Sequence, residues 1–560
     1  MKILSRVLTG LALAAAAFAQ TPTITSGQVT NAASYAIPDL PSGALARGGM
    51  IVIKGSNLGP ATLQIVNQFP LVTSLAGTSI KATVGGSTVE LFMIYSSAAQ
   101  LAAILPSSTP TGTGTITVTY NGQTSAPSPI RVVQSAFGIF TLNEAGSGPG
   151  VFQNANSGTD QPVNTLTQPA RPGQLAIIWG TGLGPVTGNE AAAPVPGDMP
   201  SAPVEVYVGG KLANITYRGR SGCCAGIDQI VFTVPSGVDG CYVPVAVKTG
   251  DVVSNFVSMS IAAQGNACTD LTGLTGAQLE SAQRTGSFRV GGISLNRSVT
   301  KISVPGFGSF ESKADTGAGS FYRYDFNQLI RAQSVGSPYA ASIGSCTIFT
   351  SRDATPGTPT DVIRPTELDA GPAITITNSA RGAKTLTKQQ GIYSATLSSG
   401  TPNIPGVPGG GSSTPDYLEP GAYTISAPGG TGANAVGQFS VNLTIPQLLN
   451  WTNMDAVENV TRASGQNIAW TGGDPNGYVN ILGASTTANS SSVFICIERT
   501  SAGSFNIPSY VLSSLPATTG QNFGFLSVSG VSQVVPFTAS GLDAAGVTAT
   551  SGSQKTVTFR

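Results

Sequence analysis

The sequence predicts an all-β chain built from tandem β-sandwich domains. Three observations lead there: period-two alternation of apolar and polar residues wherever a pattern is visible, turn dipeptides that close those runs, and a glycine and proline content that disfavours helices. Of 560 residues, 70 are Gly and 37 Pro, only 9% are charged, and none is His. The missing imidazole excludes a Ser-His-Asp triad, His-ligated zinc and a His-based pH switch. A formal net charge of +1 leaves no basic footprint for nucleic acid. So low a charge fraction also argues against charge-driven disorder.

The first segment reads as an export signal. Residues 1–19 are MKILSRVLTGLALAAAAFA, with Lys2 and Arg6 ahead of an apolar run over 7–17 and a small-x-small cleavage site at Ala17-Phe18-Ala19. That run is shorter than the roughly 20 residues a bilayer crossing takes. Cleavage removes two cations and leaves a mature net charge of −1. No later run is apolar enough for a transmembrane helix. The mature chain is therefore expected outside the cytoplasm, secreted to the cell surface, the medium or the periplasm, with no membrane span.

Six cysteines agree with an oxidising compartment. Cys223, Cys224, Cys241 and Cys268 cluster and are expected to form two disulfides, with three connectivities open. The adjacent Cys223 and Cys224 suit a tetrahedral metal poorly, so neither a metal nor another cofactor is expected. Cys346 and Cys496 sit in strand-like apolar runs, where they either bridge one another or stay as buried thiols.

The strands follow from alternation. Ile116, Val118 and Tyr120 alternate with Thr117 and Thr119; Val204, Val206 and Val208 with Glu205 and Tyr207; Phe439, Val441, Leu443 and Ile445 with Ser440, Asn442 and Thr444. Asn121-Gly122 and Gly209-Gly210 close the first two as turns. Such runs are half-buried strands of antiparallel sheets. Only 276–285 reads as a helix.

The first half also repeats itself. Gly55-Ser-Asn-Leu-Gly-Pro60 recurs as Gly180-Thr-Gly-Leu-Gly-Pro185, Val84-Gly-Gly86 as Val208-Gly-Gly210, and Gln100-Leu-Ala-Ala-Ile-Leu-Pro106 as Gln229-Ile-Val-Phe-Thr-Val-Pro235. Ordered matches at a nearly constant offset indicate a duplicated domain. The Gly-Pro turns are read as structural redirections of the chain rather than ligand loops. With Asn31-Ala-Ala-Ser-Tyr35, Ala136-Phe-Gly-Ile-Phe140 and Gly222-Cys-Cys-Ala-Gly226, these motifs make residues 28–262 resemble a two-lobed, immunoglobulin-like repeat region of secreted acidobacterial proteins of unknown function, related in style to IPT/TIG sandwiches. The resemblance implies tandem immunoglobulin-like β-sandwich domains in a surface or extracellular setting, and it implies no activity.

The expected organisation is a signal at 1–19, sandwiches at 20–134 and 135–262, a third β-sandwich at 263–450 with a Pro/Gly/Ser-rich loop at 401–415, and a fourth at 451–560. Strands are expected around 373–377, Tyr393, 421–425 and 439–445, and beyond the boundary at 468–470, 477–481 and 493–497.

Motifs that imitate catalytic sites fail on context. Asp315-Thr-Gly317 matches half of an aspartic-protease dyad, but no second Asp-Thr/Ser-Gly exists and a turn is the better reading. Ser298-Val-Thr-Lys301 and Lys248-Thr-Gly250 stand in the wrong order for a penicillin-recognising enzyme. Gly430-Thr-Gly-Ala-Asn-Ala435 lacks the βαβ setting of a dinucleotide site. Asp474-Pro-Asn-Gly477 reads as a tight turn rather than a calcium loop, and Trp470 as a core residue rather than a sugar platform. No catalytic residue is assigned. The expected role is that of a secreted, non-enzymatic adhesion or scaffold module contacting an extracellular protein or polysaccharide. A carbohydrate-binding accessory protein comes second and a hydrolase using paired carboxylates third.

Overall fold

The computed structural model describes residues 20–269, 274–304, 308–331, 341–352, 365–400, 414–518 and 523–560. The export signal 1–19 and nearly all of the 401–415 spacer lie outside the described residues.

The fold is all-β and immunoglobulin-like. In the first unit one sheet runs in the order Thr23–Asn31, Met50–Ser56, Gln100–Ile104, Phe92–Ser96, Gln64–Ile65. The facing sheet runs Leu45–Ala46, Ser128–Val133, Gly112–Tyr120, Thr78–Val84, Ser74–Leu75. Alternation decides which side chains meet between them. Ile80, Ala82 and Val84 pack with Ile51, Ile53, Leu101 and Ala103 in one core, while the intervening Lys81 and Thr83 face water. The turn at Asn121-Gly122 has positive φ at both residues (48° and 79°), the geometry that suits the right-handed twist of a hairpin.

The second unit repeats this layout. Its first sheet orders Leu175–Thr181, Asp228–Thr233, Asn214–Arg220 and Gly197–Asp198, with Gly138–Ile139 and Phe152–Ala155 beside Leu175–Thr181. Its second orders Gly148–Pro149, Val257–Ile261, Gly240–Thr249, Val204–Val208 and Lys211–Leu212. Strand for strand, Met50–Ser56 corresponds to Leu175–Thr181, Gln100–Ile104 to Asp228–Thr233, and the edge strand Gln64–Ile65 to Gly197–Asp198.

The rear half corrects the expected division at 450/451. A single 14-stranded sheet crosses it. Ser287–Val304 and Gly308–Asp325, each 18 residues long, form an antiparallel pair. The other side of Ser287–Val304 pairs in parallel with Ala544–Thr556, Val290 opposite Ala544. Ser345–Ser351 in turn pairs with Ser491–Arg499. Two cores persist, but each draws on both sides of the expected boundary: Cys346 and Ile348 pack with Trp470 and Phe494, and Phe537 and Val547 with Tyr393 and Phe439. Alternation reports which face of a strand is buried, and it carries no information on which distant strand completes its hydrogen bonds.

The predicted helix is Gly276–Thr285, opened by a capping box between Thr275 and Gln278 and closed by Gly286 at φ 75°. Among the open cysteine connectivities the fold has Cys223–Cys224, Cys241–Cys268 and Cys346–Cys496. No helix among the described residues is long and apolar enough to cross a membrane. With three disulfides, this is consistent with an extracellular protein.

Candidate interaction surface

The repeated Gly-Pro turn is held differently in the two units. In the first, the Gly55 amide donates to the Ala99 carbonyl and the Leu58 amide to the Ala98 carbonyl, both at 3.0 Å. In the second, the amides of Gly182 (2.7 Å) and Leu183 (2.8 Å) donate to Asp228 Oδ2. Asp228 precedes Gln229 as Ala99 precedes Gln100, so a carboxylate has replaced alanine at the equivalent place. Complete burial raises the Asp228 carboxyl above the ordinary range, against the opposing pull of Arg220 and the Leu183 and Gly182 amides. Its other oxygen pairs with Arg220 Nη1, and Arg220 Nη2 donates to Gly184 O (2.9 Å) and, across to the first unit, to Gly48 O (2.5 Å).

Two further side chains tie the units together. Asn31 Nδ2 donates to Ala136 O and Thr181 O, both at 3.2 Å, while its Oδ1 accepts the Ala33 and Ser34 amides. Thr181 Oγ1 accepts the Met50 amide (2.8 Å) and donates to Gly226 O (2.5 Å). The opening Asn-Ala-Ala-Ser-Tyr motif and the Gly-Cys-Cys-Ala-Gly loop thus both belong to this junction.

Beside the junction lies the outer face of the first unit's five-stranded sheet. One row of directly paired residues crosses it: Thr30, Val52, Ala102, Tyr95 and Ile65. Opposed residues share a face, so this row is apolar over most of its length. Tyr35, Met50, Ile94 and Tyr95 cover Val52 and Ala102. Lys54 Nζ stands 4.9 Å from the Tyr35 ring centre, and Gln100 Nε2 donates to the Tyr95 hydroxyl. Burial, reinforced by Tyr95 and Glu144, pushes the Tyr35 phenol up to about 12, so it stays neutral.

The row ends in water. Leu63, Ile65, Phe69 and Val72 are 52%, 59%, 39% and 41% exposed. They make up half of the eight large exposed hydrophobics among the described residues, yet they lie within ten residues, in and beside the edge strand Gln64–Ile65. Scattered exposed apolar residues are normal, and a group of them is not. Sequence reading missed this segment. The signal was present: between matched landmarks the first unit carries large apolar residues at Leu63, Ile65, Val66, Phe69, Leu71 and Val72, where the second is dominated by Gly, Pro, Ala and acidic residues. At the edge strand, Ile65 stands where the second unit has Asp198.

The motifs that imitate catalytic sites take structural places. Asp315 is a correction, because it lies inside the strand Gly308–Asp325 rather than in a turn. The glycines that follow owe their size to packing: a side-chain carbon at Gly317 would lie 2.7 Å from Leu386 Cδ2, and one at Gly319 would lie 3.0 Å from Ile374 Cδ1. The Asp315 carboxylate accepts Arg297 Nε and Nη2, Ser398 Oγ and the Tyr417 and Leu418 amides. Burial would raise it, but these donors outweigh burial and hold it below the usual carboxylate range. Lys301 reaches Asp455 in the rear half, and Lys248 pairs with Glu205 on the neighbouring strand of the second unit. Asp474 Oδ1 accepts the Asn476 amide within a turn closed by Gly477, and its Oδ2 accepts the amide of the distant Gln533. The Gly430 amide donates to Val436 O in a loop between strands. Trp470 is buried and donates to Thr500 O at 2.9 Å. Among the described residues no three Cys, Asp or Glu side chains stand together as metal ligands.

Residues 39–132 match the IPT/TIG domain family. The match falls on the unit that carries the exposed edge. No curated protein matches the chain. Among solved structures, a gamma-CGTase from alkalophilic Bacillus clarkii is 12% identical, with 50% of this chain and 34% of that one covered and a TM-score of 0.16. This chain thus spans about a third of that enzyme's length. The protein SGBP-B from a xyloglucan utilization locus of Bacteroides uniformis is also 12% identical, with 68% and 86% covered and a TM-score of 0.16. The Escherichia coli adhesin FdeC is 13% identical, with 76% and 96% covered and a TM-score of 0.13. Overlaps this loose transfer no role.

Proposed function

We propose that the chain is a secreted, non-enzymatic adhesion or scaffold module that engages an extracellular partner through the free edge of the first unit's outer sheet. The observation that carries this reading is the concentration of Leu63, Ile65, Phe69 and Val72 at that edge. Covering a fully exposed side chain of this size contributes about 1.5–3 kcal/mol, so even partial burial of four supplies a useful share of a binding energy. The outermost strand Gln64–Ile65 also has one side unpaired within its sheet, which suits an extended partner segment. A protein partner fits better than a polysaccharide. Sugar platforms favour open tryptophan faces, yet Trp451 and Trp470 are buried, Trp179 is half-buried with its Nε1 committed to Gln153, and Phe69 is the one aromatic among the four exposed edge residues.

The test is binding of the mature chain to cell-surface protein extracts and to immobilised polysaccharides. The double variant Ile65→Asp/Phe69→Asp is compared with Leu212→Asp, which changes a more exposed residue (63%) of the second unit, away from that edge. The double variant is expected to lose at least about tenfold in affinity for a protein fraction and the control to lose none. Undiminished binding by the double variant sinks the reading.

A further inference from the structure

We propose that Cys223–Cys224 is a reducible clip on the junction between the two front units, opened by an external dithiol. Its surroundings set it apart from the other two bridges. Cys241, Cys268, Cys346 and Cys496 are all buried, whereas Cys223 is exposed and Cys224 half-buried. Access decides which disulfide an external thiolate attacks. Contribution to global stability differs as well. The buried bridges join residues 27 and 150 apart and restrict the unfolded chain. A bridge between neighbours closes no loop, so what it constrains is local.

What it constrains is the contact between units. The disulfide sits at the tip of the loop joining Asn214–Arg220 to Asp228–Thr233. The stem of that loop is the Arg220–Asp228 pair, and Arg220 also reaches Gly48 O of the first unit. Ser221 Oγ donates to the Cys224 carbonyl at 3.3 Å, and the Ser221 amide closes the stem on Ile227 O at 3.0 Å. Two residues past the bridge, Gly226 adopts φ 71° and presses on the first unit: a side-chain carbon there would lie 2.9 Å from Ile104 Cγ1. The Gly226 carbonyl accepts from Thr181 Oγ1, which accepts from the Met50 amide. A relay of three groups therefore runs from the disulfide loop into the first unit's sheet.

In the opening step a thiolate of the dithiol attacks the exposed Cys223 sulfur. The S–S bond breaks, and Cys224 leaves as a thiolate and takes a proton. The second thiol of the reductant then attacks the mixed disulfide, freeing the Cys223 thiol and closing the reductant's own disulfide. Two electrons pass from dithiol to protein. The loop, no longer held at its tip, releases Gly226 O from Thr181 and loosens the junction.

The experiment treats the folded, full-length mature protein with dithiothreitol, alkylates it, and maps peptides alongside hydrogen exchange. Cys223 and Cys224 are expected to be alkylated while the four buried cysteines stay bridged. The amides of Met50 and Ser221 should then exchange at least about tenfold faster, with those of Val204–Val208 unchanged. The variant Cys223→Ser/Cys224→Ser, checked by non-reducing mapping for its two remaining bridges, should show the fast exchange without reductant and no response to it. Alkylation at 223 and 224 no faster than at the buried sites overturns the proposal. So does a reduced protein whose Met50 and Ser221 exchange is unaltered.

Discussion

The two front units share a strand order and a Gly-Pro turn, yet they hold the turn by different means. The first uses the backbone carbonyls of Ala98 and Ala99. The second uses the carboxylate of Asp228, itself neutralised by a buried arginine that reaches the neighbouring unit. The difference shows how a repeated domain acquires a directional contact. A turn closed by carbonyls is complete in itself, whereas one closed by a carboxylate needs a cation, and the cation has further donors to place.

The contrast is broken most directly at the carboxylate. Asp228→Ala leaves Arg220 buried without its partner and is expected to destabilise the second unit by about 3–5 kcal/mol. The equivalent change in the first unit, Ala99→Gly, stays within about 0.5 kcal/mol. Hydrogen exchange along Leu175–Thr181 and Met50–Ser56 measures the two effects separately. Asn31→Ala removes the side chain that both units share and leaves buried carbonyls and amides unpaired, a loss of about 1–3 kcal/mol that should appear as faster exchange in both units at once.

A pH series adds a contrast with the rear half. The Asp315 carboxyl is held below its ordinary value, so its contribution is complete above that value and is lost as pH falls through the lower folded one. Thermal melts between pH 2 and pH 7 should lose this slope in Asp315→Asn. The smallest effect concerns the residue after the first glycine of each turn. Thr181→Val removes one bridge between units, worth about 1 kcal/mol. The corresponding exposed Ser56→Val changes stability by less than about 0.5 kcal/mol, and urea titration of the two variants checks the difference.

What was legible in the sequence was local. Alternation located Val204–Val208 and Phe439–Ile445, Asn121-Gly122 marked a turn, and the repeated Gly-Pro landmarks follow the strands Met50–Ser56 and Leu175–Thr181. The Asp315 turn was misread because Asp-Thr-Gly has turn composition, while flanking strands on both sides and the packing of Leu386 and Ile374 impose an extended backbone. Asp228 gave no local signal, since its partners Gly182 and Leu183 lie more than forty residues away in sequence. The exposed edge was half legible. Period-two reading treats an apolar residue as buried by default, and only the aligned second repeat, with Asp198 opposite Ile65, marks the first unit's edge as unusual.

The parallel pairing of Ser287–Val304 with Ala544–Thr556 also sets an order of events. A chain that emerges N-terminus first can complete both front units while the rest is still being delivered. The rear sheet has no such freedom, because one of its first strands waits for one of its last. Contacts of that sequence separation slow folding, and an unfilled strand edge is open to the wrong neighbour in the meantime. Truncation before Ala544 should therefore leave the front units folded and turn the rear half into an aggregating remnant, which gives Ala544–Thr556 the role of a latch on quality as well as on structure.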